Sequence, residues 1–144
     1  MQSPEALTDL FRAHGRKITA QRQCIFRALD GDVTHPSAER VHEKVRTEMP
    51  NVSLKTVYQT LNDLAELGAI SVLDVGTGSA RFDPNVETGH HHLVCRSCGK
   101  VRDLAADFPG LRVTRRAAQG FDVDSAEVVF RGQCDECRPA KISQ

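Results

Sequence analysis

The sequence lacks several features that would place a protein outside the ordinary globular class. It has no tryptophan, one tyrosine and six phenylalanines among 144 residues, so large side chains for a core are scarce. No apolar run approaches the eighteen or so residues of a membrane span, and we expect no membrane partner. The start, MQSPEALTDL, has no apolar segment of the kind that a secretory signal needs. We therefore expect a cytoplasmic protein.

The chain also lacks net charge, because 19 basic residues balance 19 acidic ones. This balance excludes a protein that coats nucleic acid by bulk charge. The charge is nevertheless uneven, since the stretch from Arg12 to Arg27 holds five basic residues and no acid. We predict a local basic surface there.

Helix signals fill the first half of the chain. Four segments are predicted helices, and three of them follow a good N-cap residue. They are 7–13, 20–29 after Thr19, 38–49 after Ser37, and 54–67 after Ser53. A hairpin around Gly-Thr-Gly-Ser follows. This order predicts a winged helix-turn-helix DNA-binding domain.

The second half begins after a link that contains proline and glycine, DPNVETG. Two strands are predicted around a Cys-x-x-Cys turn, then a helix over 109–120 and a last strand over 121–132. This α/β unit is small and poor in apolar residues, so we expect it to bury its sheet by pairing with a second copy of itself. We predict an α+β protein with a DNA-binding domain (1–83), a hinge (84–89), and a dimerisation and metal-binding domain (90–144).

Four of the five cysteines form two Cys-x-x-Cys pairs, Cys95 with Cys98 and Cys134 with Cys137. Together they can supply a closed tetrahedral sulfur site, which indicates structural zinc. Such a site would stitch together the sheet of a unit too small to be stable alone. A redox dithiol is the competing interpretation, but that motif needs only one pair in a βαβ context. The remaining Cys24 is predicted to be a small buried side chain.

Three consecutive histidines precede the first cysteine pair. In an extended strand His90 and His92 point to one side and His91 to the other. Two imidazoles with neighbouring carboxylates form a nitrogen–oxygen site suited to Fe(II), Mn(II) or Zn(II). The candidate further ligands are Asp83, Asp103 and, from the first half, His35. A solvated surface run of histidines is the alternative that the residues leave open.

These segments together resemble the ferric uptake regulator family of bacterial metal-dependent repressors. The resemblance rests on RKITAQR, PNVSLKTVYQTL, HHHLVCRSCGK and GQCDEC, and it covers nearly the whole chain. It implies a winged-helix domain, a hinge and a C-terminal dimerisation domain, hence a homodimer on double-stranded operator DNA. Within the family the chain is most similar to the peroxide-responsive, catalase-controlling branch of actinobacteria.

The resemblance also implies roles for individual residues. An aspartate at the position of Asp103 is typical of peroxide-sensing members, where many iron regulators have glutamate. The implied ligands of a regulatory Fe(II) or Mn(II) ion are His35, Asp83, His90, His92 and Asp103. On a winged helix of this kind we expect Tyr58 and its neighbours to contact bases. We expect the basic side chains of Lys17, Arg22 and Lys55 to contact phosphates. The predicted DNA-binding set is Lys17, Arg22, Lys55, Thr56, Tyr58 and Gln59.

The chain departs from the family pattern at a few positions. His91 and Ala126 stand where many iron regulators have the aspartate and histidine of a further metal site, so we expect that site to be absent. Residues 75–89 contain no cysteine, whereas zinc-uptake regulators often use one near the hinge as a sensory ligand. Gln59 stands where many relatives have an arginine.

The expected function is that of a non-enzymatic, metal-activated repressor that loses its DNA when peroxide oxidises His35 or His90. The nearer alternative is an iron- or manganese-uptake repressor that responds to metal level only. The farther alternative is a metal-dependent hydrolase. Against the hydrolase, the sequence places no serine, cysteine or glutamate base beside the ligands.

Overall fold

Helix caps organise the N-terminal part of the protein in the computed structural model, which describes residues 2–76, 78–86 and 89–139. The side-chain oxygens of Thr19, Ser37 and Ser53 each accept a hydrogen bond from a backbone N–H three residues on, as predicted. The helices are α1 (Pro4–Ala13), α2 (Ala20–Leu29), α3 (Ala38–Glu48) and α4 (Leu54–Glu66). Helix α1 begins three residues earlier than predicted, because Ser3 caps it and Pro4 opens it.

The four helices enclose an apolar core. Phe11 of α1 meets Phe26 of α2 edge to face, with the ring centroids 5.0 Å apart. Val57, Leu61 and Leu64 of α4 are fully buried, as their helical spacing predicts. None of the helices in residues 2–76, 78–86 and 89–139 is long and apolar enough to cross a membrane.

A short hairpin completes this unit. Strands β1 (Ser71–Leu73) and β2 (Arg81–Asp83) pair antiparallel, with Val72 opposite Phe82. The backbone N–H of Phe82 donates to the carbonyl of Pro36 over 2.9 Å. The hairpin is thereby attached to the turn that precedes α3.

A three-stranded sheet forms the centre of the C-terminal part. Its strands are β3 (His91–Cys95), β4 (Val101–Leu104) and β5 (Val129–Gly132). They lie in the order β4-β3-β5, with β4 antiparallel and β5 parallel to β3. The α+β class is confirmed.

The chain divides into two compact units, Met1–Glu87 and Thr88–Gln144. The predicted hinge at 84–89 includes Glu87 and Thr88, which lie outside the described residues. The same holds for residues 140–144 at the end of the predicted dimerisation domain.

Two element predictions in the second unit are wrong over part of their length. The helix predicted over 109–120 is only α5 (Arg115–Ala118), because Leu111 N–H closes a turn onto Phe108 and Thr114 caps the helix late. The strand predicted over 121–132 is restricted to β5, and residues 121–127 are exposed. Alternation in a sequence predicts strand character, but a strand also needs a neighbour with which to pair.

Candidate metal centres and DNA-reading face

Four thiol groups meet at the turns that follow β3 and β5. Parallel pairing of Cys95 with Gly132 brings the two Cys-x-x-Cys turns to the same end of the sheet. The four Sγ atoms lie within 4.8 Å of one another, and Cys98 Sγ is 3.7 Å from Cys134 Sγ. Bonds of about 2.3 Å to a tetrahedral zinc ion would place its sulfurs about 3.8 Å apart. The donor set and its spacing therefore fit zinc.

The thiols of this cluster differ in their pKa values. The backbone N–H of Cys134, which donates to Cys95 Sγ over 3.4 Å, lowers the pKa of Cys95 to about 6. The Cys134 thiol beside Cys137 raises the pKa of Cys137 to about 12. Without a cation the cluster thus favours one thiolate and resists another. A divalent metal ion removes this resistance, because each ligating thiol is deprotonated.

A nitrogen–oxygen donor set lies on one side of the same sheet. His92 of β3 is directly opposite Asp103 of β4. Asp103 Oδ1 is 3.6 Å from His92 Nε2 and 4.0 Å from His90 Nε2. Ligand atoms bonded at about 2.1 Å to one ion lie about 3 to 4.2 Å apart, so both distances to Asp103 suit ligands of a metal of the Fe(II), Mn(II) or Zn(II) type.

His91 lies on the other side of β3, as strand alternation predicts. It is buried, with its ring centroid 4.9 Å from that of Phe108. Its Nδ1 atom accepts a hydrogen bond from the backbone N–H of Val128 over 3.1 Å. His91 therefore joins β3 to the segment that enters β5.

The structure adds a residue that the sequence did not reveal. Glu127 Oε1 lies 2.7 Å from Nδ1 of His92, on the ring nitrogen that faces away from Asp103. The expectation that no glutamate lies beside these histidines is therefore wrong. The signal was missed because it depends on parallel pairing of β5 with β3, which alternation alone does not predict.

The first unit holds a second histidine–carboxylate pair. His35 Nε2 is 3.5 Å from Asp83 Oδ2, and both side chains are only 2% exposed. His35 has a φ of 53°, a left-handed conformation that is uncommon for residues other than glycine and recurs at functional sites. Its carbonyl accepts a hydrogen bond from the Arg81 guanidinium over 3.0 Å. The predicted regulatory ligands thus form two groups, this pair in the first unit and three side chains in the second.

The predicted DNA-reading residues differ in their surroundings on α4. Lys55 and Gln59 are exposed, and the Tyr58 hydroxyl donates to Glu39 Oε1 over 2.8 Å. This hydrogen bond raises the pKa of Tyr58 and lowers that of Glu39. The Thr56 hydroxyl lies 2.9 Å from the Ser53 hydroxyl, within the cap of the helix.

The basic stretch from Arg12 to Arg27 is not the free positive surface expected from the sequence. All four of its arginines lie within salt-bridge distance of carboxylates, mostly on helices far away in sequence. Arg22 donates to Asp63 over 2.7 Å and to the Lys17 carbonyl over 2.6 Å, and its guanidinium lies 5.2 Å from the Phe11 ring centroid. Arg22 therefore has an internal packing role, whereas the Lys17 side chain is exposed.

Comparison with known proteins gives consistent matches. Residues 13–131 match the ferric uptake regulator family. The chain is 36% identical over 137 residues to the peroxide-responsive repressor PerR of Staphylococcus aureus, covering 93% of this chain and 90% of that protein.

Solved structures agree with this result. The ferric uptake regulator Fur of Helicobacter pylori, which has three functional metal-binding sites, superposes with a TM-score of 0.75 at 25% identity over 98% of this chain and 99% of that one. PerR of Streptococcus pyogenes, a protein of peroxide sensing and gene regulation, superposes with a TM-score of 0.53 at 27% identity over 96% and 95%.

Proposed function

Because the chain belongs to the ferric uptake regulator family, we propose that it is a dimeric, metal-dependent DNA-binding repressor that senses peroxide and derepresses oxidative-stress genes. One observation carries the proposal: a four-sulfur cluster and a separate set of histidine and carboxylate donors occur in the same small unit. Sulfur donors suit a permanent zinc ion, and nitrogen–oxygen donors suit an exchangeable Fe(II) or Mn(II) ion.

The zinc site is proposed to hold the second unit together. Its ligands are Cys95, Cys98, Cys134 and Cys137. Four protein ligands leave no open position on a tetrahedral ion, so this site has no room for a substrate. Zinc has no redox chemistry of its own, and the site would survive exposure to peroxide at the other centre.

The regulatory site is proposed to combine the two histidine–carboxylate groups. Its ligands are His35, Asp83, His90, His92 and Asp103. Side chains from both units that share one ion hold the units in one arrangement, and the ion stabilises that arrangement by its differential affinity for it. In a dimer this sets the spacing of the two recognition helices, which must meet successive major grooves of operator DNA.

We propose that the protein senses peroxide through oxidation of one of these ligands, His35 or His90. A bound Fe(II) ion would activate hydrogen peroxide. One oxygen atom of the peroxide would be inserted into a ring C–H bond of His35 or His90, the imidazole would supply the two electrons, and the other oxygen atom would leave as water. An oxidised ring is a poor ligand, so the ion would no longer couple the two units and the protein would leave its operator. Such a repressor acts where the DNA is, in the cytoplasm.

Operator recognition is proposed to use α4. Tyr58 and Gln59 would contact base edges, and Lys55 and Lys17 would contact phosphates. Thr56 is assigned mainly to the helix cap, and Arg22 to packing against α4. Both remain in the predicted set, but their contacts in the free protein support structural roles.

The two alternatives receive less support. Proteins of this family are transcriptional regulators and not enzymes, so a hydrolase is not favoured. A repressor that responds only to metal level is not favoured either, because the matched relatives include peroxide-responsive repressors. Asp103 supports the same choice, since the resemblance associates aspartate at this position with peroxide sensing.

The test compares Fe(II)- and Mn(II)-loaded protein on operator DNA under brief peroxide treatment. We expect the Fe(II) form to gain the mass of one oxygen on peptides that carry His35 or His90 and to lose its DNA. The Mn(II) form should show neither change, because Mn(II) does not readily reduce peroxide.

Asp103→Glu is the matched variant in this experiment. It keeps the charge and the oxygen donor but lengthens the side chain by one methylene. We expect metal-dependent DNA binding to survive and the mass gain to become small. If the wild-type Fe(II) form keeps both its mass and its DNA under peroxide, the uptake-repressor alternative is correct and the proposed function is wrong.

A further inference from the structure

We propose that Glu127 is a positioning residue for the regulatory metal site: it fixes the proton of His92 on Nδ1 and thereby keeps Nε2 available as the metal-binding nitrogen. The inference deepens the proposed function and rests on it for the role of His92 as a ligand. It stands on contacts within the second unit alone.

The hydrogen bond between Glu127 and His92 places a proton on one nitrogen of the imidazole ring. An ionised carboxylate can only accept hydrogen bonds, so the 2.7 Å contact between Glu127 Oε1 and His92 Nδ1 requires a proton on the ring nitrogen. This length is typical of a bond to a charged acceptor. In a neutral imidazole the other nitrogen, Nε2, then carries the lone pair. That nitrogen is the one that faces Asp103, at 3.6 Å.

Backbone hydrogen bonds to β3 hold the segment that carries Glu127 in place. The backbone N–H of His92 donates to the Val128 carbonyl over 3.0 Å, and the Val128 N–H donates to His91 Nδ1 over 3.1 Å. The residue after Glu127 is therefore fixed to β3 through both its N–H and its carbonyl group. Parallel pairing continues from His92 opposite Val129. The pairing of β5 with β3 therefore places the Glu127 carboxylate beside the imidazole ring of His92.

His92 and Glu127 differ in their exposure to solvent. The His92 side chain is 4% exposed and that of Glu127 is 48% exposed. Because the Glu127 carboxylate is so exposed, water weakens its electrostatic attraction for the His92 ring. The effect on His92 is therefore directional: the hydrogen bond selects the tautomer and orients the ring. Carboxylates that contact metal-ligating histidines in this way typically change metal affinity by about 10- to 100-fold when they are removed.

The experiment uses the full-length, zinc-loaded protein and Mn(II) as the probe. Ring nitrogen-15 shifts, recorded without Mn(II) at mildly alkaline pH, report which nitrogen of His92 carries the proton. Wild type should show the proton on Nδ1, and Glu127→Ala should show a larger population with the proton on Nε2. The Mn(II) dissociation constant of Glu127→Ala should rise about 10- to 100-fold.

Two further variants separate positioning from charge. Glu127→Gln keeps an oxygen that can accept the Nδ1 proton, so its tautomer and Mn(II) affinity should stay close to those of wild type. Asp122→Ala removes one exposed negative charge from the same segment and should change neither measurement.

The proposal is overturned if Glu127→Ala keeps the wild-type tautomer and affinity. It is also overturned if Glu127→Gln loses as much affinity as Glu127→Ala, because the carboxylate would then act as a ligand or by its charge. Failure of the proposed function has a different signature, because His90→Ala would then leave the Mn(II) affinity unchanged. The His92 tautomer in wild type and in Glu127→Ala would still show whether Glu127 positions the ring.

Discussion

His90, His91 and His92 are adjacent in sequence but differ in what surrounds them. His90 and His92 turn their Nε2 atoms toward Asp103, whereas His91 is buried and accepts from a backbone N–H. Alternation along a strand is sufficient to separate these environments. One short segment can therefore supply metal ligands on one side of the sheet and a packing contact on the other.

The predicted role of Tyr58 in DNA recognition can be tested by substitution. Replacing it by alanine removes both the aromatic ring and the hydroxyl group that Glu39 accepts from. We expect specific operator binding to weaken by about 1–3 kcal/mol if the side chain contacts a base, with zinc content and dimerisation unchanged. Fluorescence anisotropy on operator DNA and on a scrambled duplex, at matched salt, measures this effect.

The scrambled duplex is the control for that prediction. Phosphate contacts carry no sequence information, so binding to it should be nearly unaffected. Equal losses on both duplexes, or no loss on the operator, would show that Tyr58 does not read sequence.

Single residues also mark the limit of what the sequence could predict. The cysteine pairs and the histidine spacing were recognisable because their chemistry is local. The roles of Arg22 and Glu127 were not, because their partners Asp63 and His92 lie on other elements. A basic residue in a sequence predicts a charge, and only the fold decides whether a carboxylate neutralises it.

At the scale of elements, the capped helices of the first unit were predicted better than the helix and the strand at the end of the second unit. Three N-caps placed α2, α3 and α4 with starts correct to the residue. Caps and periodicity are properties of one segment, whereas β5 depends on β3, its distant neighbour in the sheet. The same dependence explains why the predicted strand over 121–132 is shorter in the structure.

The two Cys-x-x-Cys turns are predicted to hold the second unit together through zinc. Replacing Cys137 by serine should lower the zinc content from one ion per chain toward none and unfold the second unit, because structural zinc contributes on the order of 10 kcal/mol to small domains. Zinc analysis by mass spectrometry and circular dichroism measure the two effects. Cys24→Ala is the matched control, since Cys24 is buried in the first unit and is not one of the four clustered cysteines. This variant should keep its zinc. A folded Cys137→Ser protein with full zinc content would contradict the four-sulfur assignment.

At the scale of the whole molecule, the second unit exposes several large apolar side chains. Phe121, Val123 and Val113 are each more than half exposed among the described residues. Exposed apolar side chains are typical of a surface that another protein covers when they lie together. We predict that the second copy of a dimer covers these side chains.

Phe121 allows the dimer to be tested directly. The side chain is 81% exposed in one chain, and burying a phenylalanine contributes about 1.5–3 kcal/mol. Phe121→Glu should therefore raise the dimer dissociation constant by at least about tenfold, and more where the new charge is buried at the interface.

Val33→Glu is the matched control for that variant, because Val33 is 78% exposed but lies in the first unit, in the loop after α2. Sedimentation velocity over a concentration series should show Phe121→Glu dissociating while Val33→Glu remains dimeric. Operator affinity should fall with the dimer, since a single winged helix contacts only one half-site, and the zinc content of both variants should stay at one ion per chain. If Phe121→Glu sediments as a dimer at every concentration, the apolar side chains of residues 113–123 do not form the dimer interface, and another surface of the chain must hold the two copies together.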